Sequence, residues 1–238
     1  MSNFFTSTSQ RKDARVAGLL YLLLAIAAPL RLMYIPSTLF VHGNATATAN
    51  NIAAHEMLFR LGMVSDLFCG SILIFLVLAL YRLFKEVDQY QAVLMVILGG
   101  VVPAGIDFFN VLNDAAALTL VRGSDFLSIF EKPQRDALAI LFLHLHHQEV
   151  VAAEVLWGLW LFPLGILVYR SHFLPRFLGV WLIINGFAYL AISSTGLLAP
   201  QYEDVVSNIA FPALLGEIAL TLWLLIKGAK APTVNASV

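Results

Sequence analysis

Six apolar runs, each long enough to cross a lipid bilayer, constrain this chain more than any other feature of its sequence. They cover roughly residues 16–34, 58–80, 92–120, 136–170, 176–198 and 205–226. About 20 predominantly apolar residues in a helix cross the ~30 Å hydrocarbon core, and a helix satisfies all its own backbone polar groups there. Of the 238 residues, 60% are hydrophobic and only 12% are charged. A soluble domain carries roughly 25% charged residues, so too little polar surface remains to keep a globule of this size in water. The prediction is an all-α, polytopic transmembrane helical bundle of six spans. It forms one domain over residues 16–228, between short tails at 1–15 and 229–238.

Charge and turn residues mark the boundaries. Residues 1–15 are polar and carry Arg11, Lys12 and Arg15. A basic start before an apolar core imitates a secretory signal, but the run at 16–34 is long enough to span and is read as an uncleaved first helix. Pro36 is expected to end that helix. Residues 37–54 then read as a polar loop with a short helix near 45–54. Gly99, Gly100, Pro103 and Gly105 invite a kink in the third run, and Pro133 suits the first turn of the fourth.

Six spans put both termini on one side. That side holds nine basic residues: Arg11, Lys12, Arg15, Arg82, Lys85, Arg170, Arg176, Lys227 and Lys230. The opposite side holds five: Arg31, Arg60, Arg122, Lys132 and Arg135. Basic residues collect on the cytoplasmic face, so both termini are expected to be cytoplasmic, with the bundle in the inner (cytoplasmic) membrane.

Several phrases carry a family resemblance. They are Arg15-Val-Ala-Gly-Leu-Leu-Tyr21, Ala47-Thr-Ala-Asn-Asn-Ile52, Arg60-Leu-Gly-Met-Val-Ser-Asp66 and Ala79-Leu-Tyr-Arg-Leu-Phe-Lys85, followed by Gly158-Leu-Trp-Leu-Phe-Pro-Leu-Gly165 and Leu174-Pro-Arg-Phe-Leu-Gly179. Over nearly the whole chain, the sequence resembles a bacterial integral membrane family catalogued as domain of unknown function 4386. The resemblance implies a multi-span bacterial membrane protein and carries no activity with it.

Depth along the helices locates the polar residues. A helix rises about 1.5 Å per residue. Counting back from Arg170, residues His144 to Glu149 reach the outer interface and Glu154 lies inside the outer leaflet. Asp107, Asn110 and Asp114, like Arg60 and Asp66, fall in the outer half. Glu217 and Asn185 lie near mid-membrane. Asp107, Asn110 and Asp114 share one helical stripe, and His144, His147 and Glu154 share another, with His146 pointing elsewhere. Gly62, Asp66 and Gly70 form a row that permits close helix approach. Arg60, Asp66, Asp107, Asn110, Asp114, His144, His147, Glu154 and Glu217 are thus the candidate lining of an outward-facing polar cavity, because ionisable residues within spans face a bundle interior or a site.

Such a cavity suits a binding, transport or scaffold role. Proton- or ion-coupled carriage would use Asp107, Glu154 and Glu217, and six spans are few for a lone carrier, so a homo-oligomer is expected with it. The alternative is a metal-dependent membrane enzyme at the outer leaflet. There His144 and His147 with Asp107 and Asp114 would hold a divalent transition metal, since imidazole and carboxylate are ordinary ligands for such ions. The histidine spacing matches no strong metal motif, and no catalytic residue can be assigned. Arg60 is expected to pair with Asp66 or Asp107, or with Glu154 (for which Asn110 is the other candidate), and Arg31 to snorkel to the outer interface. The single Cys69 excludes an intramolecular disulfide and a cysteine zinc cluster, and reads as a packing residue. Trp157, Trp160, Trp181 and Trp223 read as bundle packing or interfacial belt residues, not cofactor stackers. A net charge of −1 and dispersed basic residues give no footprint for nucleic acid, and no phosphate-binding glycine motif points to a nucleotide. The partner these residues imply is the lipid bilayer.

Overall fold

A computed structural model describes residues 2–229; Lys230 and the rest of the C-terminal tail lie outside the described residues. Helices account for nearly all of the chain, and six are long and apolar enough to cross a membrane. The first span begins with α1 (Ser2–Pro29), passes through a π-helical turn at Leu30–Tyr34 and ends with α2 (Ile35–Leu39). The short α3 (Ala45–Ala54) is capped by the Asn44 side chain, which accepts from the Ala47 amide. The second span is α4 (Glu56–Phe84). The third is α5 (Gln89–Val96), a second π turn at Ile97–Val101, and α6 (Val102–Arg122). Spans four to six are α7 (Lys132–Arg170), α8 (Arg176–Leu198) and α9 (Glu203–Ile226).

Pro36 does not end the first span. It occupies the first turn of α2, where its missing N–H is no loss, and the helix stops only at Phe40. The preceding π turn accommodates it, with the Ile35 amide bonding back five residues to the Leu30 carbonyl. The third span repeats the device: the Val102 amide bonds to the Ile97 carbonyl, and Pro103 follows two residues after the π turn. In both spans a proline inside a transmembrane segment is absorbed by a local wide turn.

The long α7 is the axis of the bundle. Its 39 residues measure about 58 Å, nearly twice the hydrocarbon thickness. A capping box between Glu131 and Gln134 starts it, with Pro133 in the first turn. Its C-terminal half packs against α8 through small residues: a Cβ on Gly158 would stand 2.7 Å from the Gly186 carbonyl oxygen, and one on Gly165 2.7 Å from that of Gly179. Backbones approach this closely only where side chains are absent. Around that half lies the larger apolar core, including Tyr21, Leu76, Leu80, Trp160, Leu164 and Leu224. The N-terminal half of α7 is covered as well. Ile35, Leu39, Ile52, Phe59, Leu118 and Leu143 form a second core there, drawn from α2, α3, α4, α6 and α7. The site lies between the two cores.

Candidate functional site

The row Gly62–Asp66–Gly70 places one face of α4 against two other elements. Gly62 abuts Arg31, with an added Cβ 3.1 Å from the Arg31 Cδ, and Gly70 abuts α6, with an added Cβ 3.3 Å from the Asp107 Cβ. Asp66 stands between these contacts. Arg31 sits in the first π turn and is only 2% exposed. Its guanidinium donates two hydrogen bonds to Asp114 on α6, Nε to Oδ2 at 2.7 Å and Nη2 to Oδ1 at 2.6 Å, beneath the Phe40 ring. Arg31 therefore does not snorkel to an interface. The apolar residues Leu32 to Pro36 and the rest of α2 continue the helix beyond it, so it lies within the span and must find an anion there.

His146 lies between the acids. Its Nδ1 is 3.4 Å from Asp114 Oδ1 and its Nε2 is 3.8 Å from Asp66 Oδ2. The ring is 3% exposed, and neither nitrogen makes a hydrogen bond among the described residues. The Asn110 side-chain amide donates to the His146 carbonyl at 3.1 Å, and Asn113 bridges Asn110 to Glu149, so polar rungs join α6 to α7.

A central cavity of about 210 Å³ opens beside this group. Its polar lining is Asp66, Asp107, Asn110, His146, Tyr189 and Glu217. Trp157, Trp160, Leu24, Leu73 and Cys69 line it as well. Glu217 is held by Tyr21, whose hydroxyl donates to it, and by the Asn185 amide at 3.1 Å. No hydrogen bond reaches Asp66 or Asp107 among the described residues. A wider vestibule of about 970 Å³ lies on the other side of His146, lined by Arg31, His144, His147, Glu154 and Glu203. His146, Val150 and Trp157 border both spaces.

Not all of the residues singled out from the sequence converge. His144 and His147 are exposed on the vestibule wall, and His147 Nε2 lies 3.7 Å from Glu203 Oε1. It is His146 that turns inward. Arg60 pairs with neither Asp66, Asp107 nor Glu154, because Glu56, one turn away on the same helix, takes its guanidinium at 2.7 Å. Glu154 meets neither Arg60 nor Asn110, and its Oε2 is buried without a hydrogen-bond partner among the described residues. Among the described residues, ligand-capable atoms of Asp66, Asp114 and His146 lie within 4.8 Å of one another, a set that contains neither His144, His147 nor Asp107. Both Asp114 oxygens are occupied by Arg31, and His146 offers a different nitrogen to each acid. A single ion would have to displace the arginine and turn the ring.

Arg31, His146, Tyr21 and Tyr189 were not legible as site residues. For Arg31 one signal was present, the apolar stretch beyond it. Cys69, read as packing, is buried yet borders the cavity.

Six apolar spans packed around a buried ion pair define an integral, multi-pass membrane protein. The chain belongs to the family described as Domain of unknown function (DUF4386), whose model matches residues 16–228. An uncharacterized protein of Archaeoglobus fulgidus is 33% identical over 79 residues, 32% of this chain and 44% of the relative. The chain thus spans less than half the length of that relative. No solved structure matches the chain.

Proposed function

We propose that the protein is a membrane-embedded binding and transport protein that takes a small ligand into its central cavity. The observation carrying this reading is the cavity itself. A lipid-embedded scaffold has no need of a space of about 210 Å³ walled by acids from two helices that no group among the described residues hydrogen-bonds. In this reading both termini lie on the cytoplasmic side of a bacterial inner membrane and the vestibule faces outward. The basic asymmetry supports that orientation, and the burial of Arg31 strengthens it by removing one outer charge from the tally. Reporter fusions after Lys85 and Arg170 should then behave as cytoplasmic, and fusions near Ala49, Gly123 and Tyr202 as external; an external signal after Lys85 overturns the orientation.

Cys69, the chain's single cysteine, makes the cavity testable in the native protein. A small water-soluble thiol reagent added to the external face of right-side-out vesicles should modify it. Modification only after unfolding overturns the reading. A metal-dependent enzyme is the second reading, supported by the proximity of Asp66, Asp114 and His146. A stoichiometric transition metal in the purified protein, lost in His146→Ala, would favour it over transport.

A further inference from the structure

We infer that the central cavity takes a primary ammonium carried on a short apolar or aromatic body, with the nitrogen held among Asp66, Asp107 and His146. This deepens the transport reading and rests on it.

The sign of the ligand follows from the lining. Its ionisable carboxyls are Asp66, Asp107 and Glu217, and no lysine or arginine among the described residues borders it. Arg31, which lines the adjoining vestibule, is already committed to Asp114 through two hydrogen bonds. Glu217 is engaged by Tyr21 and Asn185. Asp66 and Asp107 remain. They come from facing helices, since Asp66 lies one turn before Gly70 and Gly70 abuts Asp107. A carboxylate in low dielectric has to meet a proton, a cation or a hydrogen-bond donor, and no protein donor reaches either of these two among the described residues.

His146 supplies an independent indication. It is more than nine-tenths buried, borders the cavity, and has no hydrogen bond at either nitrogen. Both nitrogens face carboxylate oxygens, and the single hydrogen of the neutral ring goes to the side of the nearer one, Nδ1 at 3.4 Å from Asp114 against Nε2 at 3.8 Å from Asp66. The bare lone pair is then on Nε2, which faces Asp66. The cavity lining thus presents two carboxylates and one nitrogen lone pair. A primary ammonium has three N–H donors, enough to reach Asp66 and the Nε2 lone pair, while Asp107, outside the group that lies within 4.8 Å, adds the second negative charge. A quaternary ammonium has none, and a bare metal cation has no use for the apolar wall. Behind the acids stand Trp157, Trp160, Leu24 and Leu73, suited to an apolar body and to cation–π attraction. The volume lies below the roughly 300–1,000 Å³ of drug-sized sites, which limits the ligand to a small amine.

Calorimetric titration of the full chain in lipid nanodiscs tests this with benzylammonium, benzyl alcohol and benzyltrimethylammonium. Benzylammonium should bind saturably and at least tenfold more tightly than either analogue. Asp66→Asn and Asp107→Asn should each weaken it at least tenfold. Equal affinity for the alcohol or the quaternary amine overturns the assignment, as does unchanged affinity in both variants. Should the variants fail to fold, the wild type still decides. An aminoethyl thiosulfonate should modify Cys69 at least tenfold faster than a sulfonatoethyl one, relative to their rates with a free thiol, and benzylammonium should protect. Equal relative rates overturn the ammonium assignment alone, whereas a cysteine inert to every soluble reagent overturns the cavity reading beneath it.

Discussion

Arg31 and Asp114, 83 residues apart in the chain, form a two-bond ion pair in the interior of the bundle, with side chains 3% and 0% exposed. The pair ties the π turn of the first span to the middle of α6. Its Arg31 partner lines the vestibule, and its Asp114 partner lies 3.4 Å from His146 Nδ1. Breaking such a pair leaves one charge uncompensated in a medium that cannot solvate it. Arg31→Ala or Asp114→Asn should therefore each lower stability by about 3–5 kcal/mol. The double replacement Arg31→Met, Asp114→Leu should recover most of that loss, because it removes both desolvation costs. Arg31→Lys should not rescue, since an ammonium cannot reproduce the planar fork. Thermal unfolding in detergent measures all four. A single-variant loss no larger than that of Arg60→Ala, a half-exposed pair worth about 0–1 kcal/mol, would contradict this account.

The glycine seam between α7 and α8 makes a second prediction. Gly165→Ala would bring a methyl to 2.7 Å from the Gly179 carbonyl oxygen, backbone that cannot step aside. The helices would have to part, at about 1–3 kcal/mol for the overpacking. Gly105→Ala provides the contrast. Nothing lies within 4 Å of its Cβ position, and replacing a helical glycine should raise stability by up to about 1 kcal/mol. Equal midpoints for the two variants in detergent melts would show that the seam can relax.

How much of this architecture was legible follows from what lipid does to sequence patterns. Span number and the limits of α8 were readable because run length against bilayer thickness is a strong signal: residues 176–198 were expected and Arg176–Leu198 is found. Facing was not readable in the same way. In water an amphipathic stripe separates inside from outside, but in a bundle both the core face and the lipid face of α7 are apolar. The stripe through His144 and His147 therefore looked as credible as the one through Leu143, His146 and Ala153, which is the buried one. The Arg60 pairing failed for a local reason, the presence of Glu56 at i−4. Pro36 misled because the π turn that absorbs it leaves no clear mark in the sequence.

Glu217 should behave as a structural acid. It accepts from Tyr21 on α1 and Asn185 on α8, so three spans meet at one carboxylate in mid-bundle. Glu217→Leu orphans both donors at once and should lower stability by about 1–3 kcal/mol. Tyr21→Phe alone should cost less, and the Tyr21→Phe, Glu217→Leu cycle should be non-additive by at least about 0.5 kcal/mol. Strict additivity in the melting data would mean that the hydroxyl and the carboxylate do not interact.

Glu154 should show the opposite sign. It too is a carboxylate on a spanning helix, yet its Oε2 is buried with no hydrogen-bond partner among the described residues, and the other acid on the vestibule wall is Glu203. Its neighbours Ala152, Ala153 and Val155 offer it no polar group. Replacing an unsatisfied buried polar group by an apolar one of similar shape removes a desolvation penalty and orphans nothing. Glu154→Leu should therefore leave stability unchanged or raise it by up to about 1 kcal/mol. Retention of Glu154 despite that penalty would then reflect what passes through the vestibule. In the transport reading, Glu154→Leu should slow benzylammonium entry while leaving its equilibrium affinity at the central cavity within about twofold, a factor worth roughly 0.4 kcal/mol. Stopped-flow mixing followed by tryptophan fluorescence separates the two quantities. A destabilisation matching that of Glu217→Leu would show that Glu154 has a structural partner. An unchanged entry rate would remove it from the path.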